Sequence, residues 1–226
     1  MGEISFLEFG RKFAMFYLPF LFSLCVHEVA HGLMAKWKGD DTASLMGRLT
    51  LNPMAHIDWL GTVALPFLAL LSPVGFFFGW AKPVPVNPRN LQNPRKDMFW
   101  IALAGPLSNV ILALLGAIVF IGVVWGFSSS PKYGALRELF AVFIGLNLIL
   151  ALFNMIPFHP LDGGKVLARF LPAQANQFLD QMEAYSMWII LGFFLLGGGA
   201  FFFQPVHYAT SAMMTISQFI GFALST

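Results

Sequence analysis

One cysteine in 226 residues, and only 11% Asp, Glu, Lys and Arg, set the first limits on this chain. The lone thiol, Cys25, can neither close an intramolecular disulfide nor build a cysteine metal site, and reads as a small buried apolar group. Soluble domains carry about 25% charged residues, so a chain this poor in charge is not one of them. Thirteen basic against eleven acidic side chains leave a net charge of +2 and no electrostatic footprint for nucleic acid, which is excluded as a partner. Disordered, fibrous and disulfide-stapled classes are excluded by the same composition.

What is abundant is apolar: 58% of the residues are hydrophobic. Residues 59–81, 98–131, 139–161 and 184–226 contain no Asp, Glu, Lys or Arg, and about 18 apolar residues suffice to cross a bilayer. The lipid bilayer is therefore the expected solvent. Glu3 and Glu8 precede Arg11 and Lys12, the wrong charge order for a cleaved signal peptide, so the first apolar segment is expected to stay.

A first span is predicted over residues 13–35. Residues 36–58 are polar around a strand-like run at 47–53, and the next apolar block, 59–80, is broken by Gly61, Pro66, Pro73, Gly75 and Gly79. Residues 81–88 alternate like a strand. There Pro83 and Pro85 delete donors from one edge and leave those of Val84 and Val86 on the other. Spans follow near 98–125 and 140–155, then an interfacial stretch at 165–183, then a block that should break at Gln204-Pro205 into a hairpin of two spans. The expected fold is an all-α polytopic membrane protein of five to six membrane helices, with a re-entrant or hairpin element and a small β element near the site. It forms one domain over 1–226, with a core at 13–171 and a C-terminal helical hairpin at 184–226.

His27-Glu28-Val29-Ala30-His31 lies inside the first span. Helical i, i+4 spacing stacks the two imidazoles on one face, about 6 Å apart along the axis, which suits Zn²⁺. Ionisable groups in hydrocarbon are costly unless something binds them, and a metal does. Glu28 sits beside such an ion and can exchange a proton with water and a leaving amine, which is metallopeptidase chemistry. A catalytic zinc needs a third protein ligand and an open position. His56, His159 and His207 and the carboxylates are candidates. Asp162 is the choice, being bracketed by a span end and the Gly163-Gly164 pair, which lets backbone come close. One Zn²⁺ per chain is expected.

These residues resemble the site-2 protease family of intramembrane zinc metalloproteases, in its short prokaryotic branch. The shared elements are His-Glu-x-x-His, a Gly-x-x-x-Asn element matched by Gly105 and Asn109, and Asn-x-x-Pro-x-x-x-Leu-Asp-Gly matched by Asn154, Pro157, Leu161, Asp162 and Gly163. The resemblance implies His27, His31 and Asp162 as zinc ligands, Glu28 as the catalytic residue, and Asn154 and Asn109 as polar residues assisting at the site. It also implies a multi-pass protein of a prokaryotic plasma membrane that cleaves transmembrane segments of protein or peptide substrates. Two positions depart from the family pattern, His159 and Trp59 each standing where a proline is usual. His159 is expected beside the site or at the interface.

Topology follows from the metal. If every apolar block crossed, His31 and Asp162 would lie near opposite faces, and bonds of about 2 Å cannot bridge roughly 30 Å of hydrocarbon. Block 59–80 should therefore enter and leave on one side. That arrangement puts Lys36, Lys38, Arg48, Lys82, Arg89, Arg95, Lys96, Lys165 and Arg169 on the metal's side and Arg11, Lys12, Lys132 and Arg137 opposite, which orients the site toward the cytoplasm. Val84 and Val86 are the candidate donors for a docked, unwound substrate. The rivals are a metal-ion transporter, for which the paired repeats and multiple midplane carboxylates are missing, and a catalytically silent scaffold, against which the intact Glu28 argues.

Overall fold

Apolar runs this long become helices because lipid offers no hydrogen bonds, so each N–H and C=O must be satisfied within its own segment. A computed structural model describes residues 6–71 and 79–225. Three helices in it are long and apolar enough to cross a membrane: α1 (Phe6–Trp37), α4 (Pro94–Phe127) and α5 (Tyr133–Asn154). Between α1 and α4 lie the short α2 (Thr42–Leu45) and α3 (Leu65–Leu71), the latter continuing a π-helical turn, Trp59–Ala64. After α5 come α6 (Asp162–Ala168), α7 (Ala173–Met182), α8 (Ser186–Phe193) and α9 (Gly199–Ser225).

Helix α4 is the central post, packed on α1, α5, α6 and α9. One end of the core gathers Ala113, Phe120 and Val124 of α4, Ile144 of α5 and Met214 of α9. Nearer the His-Glu-x-x-His segment, Phe20 and Leu24 of α1 pack with Ala81 and Leu150. Large apolar side chains point outward all around, among them Trp59, Trp188 and Phe219. In water such a surface would aggregate, whereas facing lipid it costs nothing.

Three expectations meet a different structure. No strand is formed among the described residues: 47–53 and 81–87 are extended or turning backbone. They are joined by a side chain rather than a ladder, Arg48 donating to the carbonyls of Lys82 and Pro83 at 2.8 and 3.2 Å. The C-terminal block does not break at Gln204-Pro205, since Pro205 lies inside α9. The chain turns at Gly197, whose φ of +89° is open to glycine and strained for other residues. Helix α8, at eight residues, is too short to cross.

Block 59–80 lies partly outside the described residues, but its two ends are fixed together. Trp80 N–H donates to Gly61 O at 3.1 Å, and the Thr62 hydroxyl donates to Trp80 O at 2.8 Å. The block therefore begins and ends at one place.

Candidate metal centre

His27 and His31 project from one face of α1 toward α4, and Asp162 opens α6 against them. Nε2 of His27 and Nε2 of His31 are 3.0 Å apart, and each lies 3.2 Å from Asp162 Oδ2. All three side chains are buried. Two ligands on a tetrahedral zinc, at bonds of about 2.0–2.1 Å, stand roughly 3.3 Å apart, so these atoms form a set of the right size. Asp162 Oδ2 has no hydrogen-bond partner although it is buried, a costly arrangement for a carboxylate unless a cation completes it. Among the described residues this is the group of three that could hold a metal ion.

The two imidazoles are oriented from behind. His31 Nδ1 donates to Ile101 O at 2.7 Å, and His27 Nδ1 donates to Asn109 Oδ1 at 2.6 Å. With the hydrogen on Nδ1, each Nε2 keeps its lone pair for a metal. Gly105, between these two partners on α4, faces both rings. A Cβ there would fall inside van der Waals contact of His31 Nε2 and of His27 Cε1. Gly163 plays the matching part for Asp162, because a Cβ there would collide with the carbonyls of Met155 and Ile156, where α5 ends.

Glu28 is buried beside the ligands, and its Oε2 accepts the N–H of Val84 at 2.7 Å. A cavity of about 660 Å³ opens in front, lined by His27, Glu28, His31, Val84, Val86, Asn154, Asp162 and Lys165 among others. The elements are those of a metal-assisted hydrolase: three convergent ligands, a carboxylate next to them and a space for substrate.

The model of peptidase family M50 matches residues 15–126 and 121–198. The chain belongs to peptidase family M50. This is the site-2 protease family, and the protein is a zinc-dependent metalloprotease and an integral membrane protein. It is 36% identical over 191 residues to YwhC of Bacillus subtilis, a protein named as a zinc metalloprotease, covering 84% of each chain. It is 27% identical over 205 residues to Rip2 of Mycolicibacterium smegmatis, named likewise, covering 89% of this chain and 75% of that one. A third relative, MJ0611 of Methanocaldococcus jannaschii, is 38% identical over 98 residues, 43% of this chain and 40% of its own. No solved structure matches the chain.

The other residues singled out in the sequence fall in several places. Asn109 touches a candidate ligand directly. Asn154 lines the cavity, with its amide donating to Leu150 O on its own helix. His159 turns away from the ligand set, its Nε2 lying 3.7 Å from Asp180 on α7. His56 is fully buried and bonded through Nε2 to Thr50 O, while Asp58 caps the turn at 59–64 by accepting from Leu60 and Gly61. Both have structural partners. Reading the sequence missed Asn147, fully buried on α5, which accepts from Asn109 Nδ2 at 3.0 Å. Its only signal there is an amide in an otherwise apolar span, which is reason enough to suspect it.

Proposed function

We propose that this M50 peptidase is an intramembrane endopeptidase that cleaves a membrane-spanning segment of another protein near the cytoplasmic face. The observation that carries this reading is the buried cluster of His27, His31 and Asp162, with Glu28 beside it, built between helices long enough to cross a bilayer. His27, His31 and Asp162 would hold the zinc. Bound zinc supplies Lewis-acid polarisation of a peptide carbonyl and activation of the attacking water. Glu28 is the base that would take a proton from an attacking water and return it to the leaving amine. Asn109, and Asn147 behind it, keep His27 in the tautomer that binds metal.

A substrate helix hides its carbonyls in i to i−4 bonds and must unwind before it can react. The segment at 81–87 is the surface on which an unwound substrate lies in extended form, forming with it a small β element that the described residues do not form among themselves. Since Val84 N–H is already bonded to Glu28, Val86 is the donor left for that role. Asn154 lines the same cavity, and the amide hydrogen it does not give to Leu150 O is the one it would offer a substrate carbonyl.

The topology consistent with this reading is multi-pass, with block 59–80 re-entering rather than crossing and five membrane helices or fewer. Cysteines at Lys38, Arg89 and Lys165 in a Cys25→Ser background should react with an impermeant thiol reagent from one side, and one at Lys132 from the other. Lys38 and Arg89 on opposite faces would overturn it.

The activity itself is tested by reconstituting the protein in liposomes with a model transmembrane substrate and locating the cut by mass spectrometry. A cut within the spanning segment, lost on chelation and restored by zinc, is expected. Cleavage confined to exposed flanks would contradict the intramembrane assignment.

A further inference from the structure

The geometry points to the backbone N–H of Val84 as the group that positions the catalytic carboxylate of Glu28, held in place by a strap, residues 79–87, that is fastened to the rest of the molecule elsewhere. This inference rests on the proteolytic reading above for its functional consequence, though not for the contact itself.

The strap is tied down along its length by the polar segment between α1 and α3. Trp80 is bonded to Gly61 and Thr62, Lys82 N–H donates to His56 O at 2.9 Å, and Arg48 holds the carbonyls of Lys82 and Pro83. At the far end Asn87 N–H donates to Asp40 Oδ2 at 2.7 Å. Against this fixed frame one donor reaches inward, Val84 N–H to Glu28 Oε2. The sequence around it is suited to aiming a single hydrogen. Pro83 and Pro85 carry no N–H of their own, each has a locked φ, and a residue preceding proline is held in extended conformation, so Val84 has little freedom to turn its N–H away. The Val84 side chain is buried against α1 near Gly32, which adds a second restraint.

The effect falls on a torsion that is otherwise soft. The terminal torsion of a glutamate is broad and roughly two-fold, so an unheld Glu28 would present either oxygen, at a range of angles, to the reacting water. A charge-assisted bond from a rigid backbone donor fixes Oε2 and leaves Oε1 for the proton. The donor also offsets the cost of keeping a buried carboxylate ionised. Val84 is thus a positioning residue acting through its main chain, and its side chain is secondary.

The full-length protein in detergent micelles, labelled with ¹⁵N-valine, reads the contact directly and without substrate. In metal-free protein the Val84 amide proton should stand downfield and move upfield in Glu28→Ala, while the Val86 amide stays in place. For function, Val84→Pro deletes the N–H and Val84→Ala keeps it. Val84→Pro should retain zinc and lose about 10- to 100-fold in kcat with KM little changed, the loss expected for one bond to a charged group, and Val84→Ala should lose much less. A Val84 amide indifferent to Glu28→Ala, or equal losses in the two variants, would overturn the assignment. An amide that responds in a protein with no cleavage activity would instead count against the proteolytic reading, leaving the contact standing.

Discussion

Asn109 of α4 donates through Nδ2 to Asn147 Oδ1 of α5 at 3.0 Å, and Asn147 Nδ2 passes its own hydrogen to Phe143 O at 2.9 Å. This relay, together with the carbonyl of Ser23 that also accepts from Asn109 Nδ2 at 3.4 Å, turns the oxygen end of the Asn109 amide toward His27. Were Asn109 flipped, it would offer hydrogens to His27 Nδ1, and the ring hydrogen would move to the nitrogen that has to bind metal.

Asn147→Leu removes the shorter of the two bonds that Asn109 Nδ2 donates and leaves the carbonyl of Ser23, at 3.4 Å, to hold the amide alone. Zinc affinity, measured by competition with a chelator, should fall about 10- to 100-fold, the usual cost of losing a partner behind a ligand. Asn147→Asp keeps an acceptor and should lose less. A leucine variant that binds zinc as tightly as wild type would mean the relay does not set the tautomer.

Gly105→Ala separates site geometry from helix stability. Alanine is the better helix former by about 1 kcal/mol, so α4 itself should not suffer. The added methyl meets both imidazoles. Zinc content should drop well below one per chain with helicity unchanged by circular dichroism. Full zinc occupancy in this variant would show that the rings have room the structure does not give them.

Asp40 anchors the far end of the strap and is fully buried. Burial alone would raise its carboxyl, but bonds from Thr42, Asn90 and Asn87 outweigh that and hold it below the usual carboxylate range. A depressed folded value contributes stability above the unfolded pKa of about 3.9, and that stability is lost as pH falls through the lower folded value. Hydrogen-exchange protection of residues 80–90 should therefore be unaffected by this group from neutral pH down to about 5 and weaken only below about 4. Asp40→Asn should loosen the strap at neutral pH. Protection lost between pH 7 and 6 would point to another anchor.

Much of the site was legible in the sequence because its chemistry is local. The i, i+4 histidines define their own face, and the Gly163-Gly164 pair after a span end marks where backbone can press close enough to deliver Asp162. What was not legible depends on pairings distant in the chain. The free edge donor at Val84 could be read from its flanking prolines, but not that Glu28 accepts it, so Val84→Pro tests the carboxylate's aim and not a substrate edge alone. Asn147 carries no motif and acquires its meaning only from Asn109 opposite. His159 is expected beside the site or at the interface, and the structure sets its Nε2 3.7 Å from Asp180, a pairing distant in the chain. A break is expected at Gln204-Pro205, but a membrane helix tolerates a proline near its start, and α9 runs through Pro205. A positive φ at Gly197 leaves no trace in composition.

The central claim is that three side chains hold zinc while a fourth, Glu28, moves the proton. It is tested most directly by measuring zinc content and cleavage of a transmembrane substrate side by side in wild type, Glu28→Gln and Asp162→Ala. Glu28→Gln should keep one zinc per chain with turnover reduced to a residue, and Asp162→Ala should lose metal and activity together. Zinc lost from Glu28→Gln, or cleavage surviving in it, would contradict that division of roles.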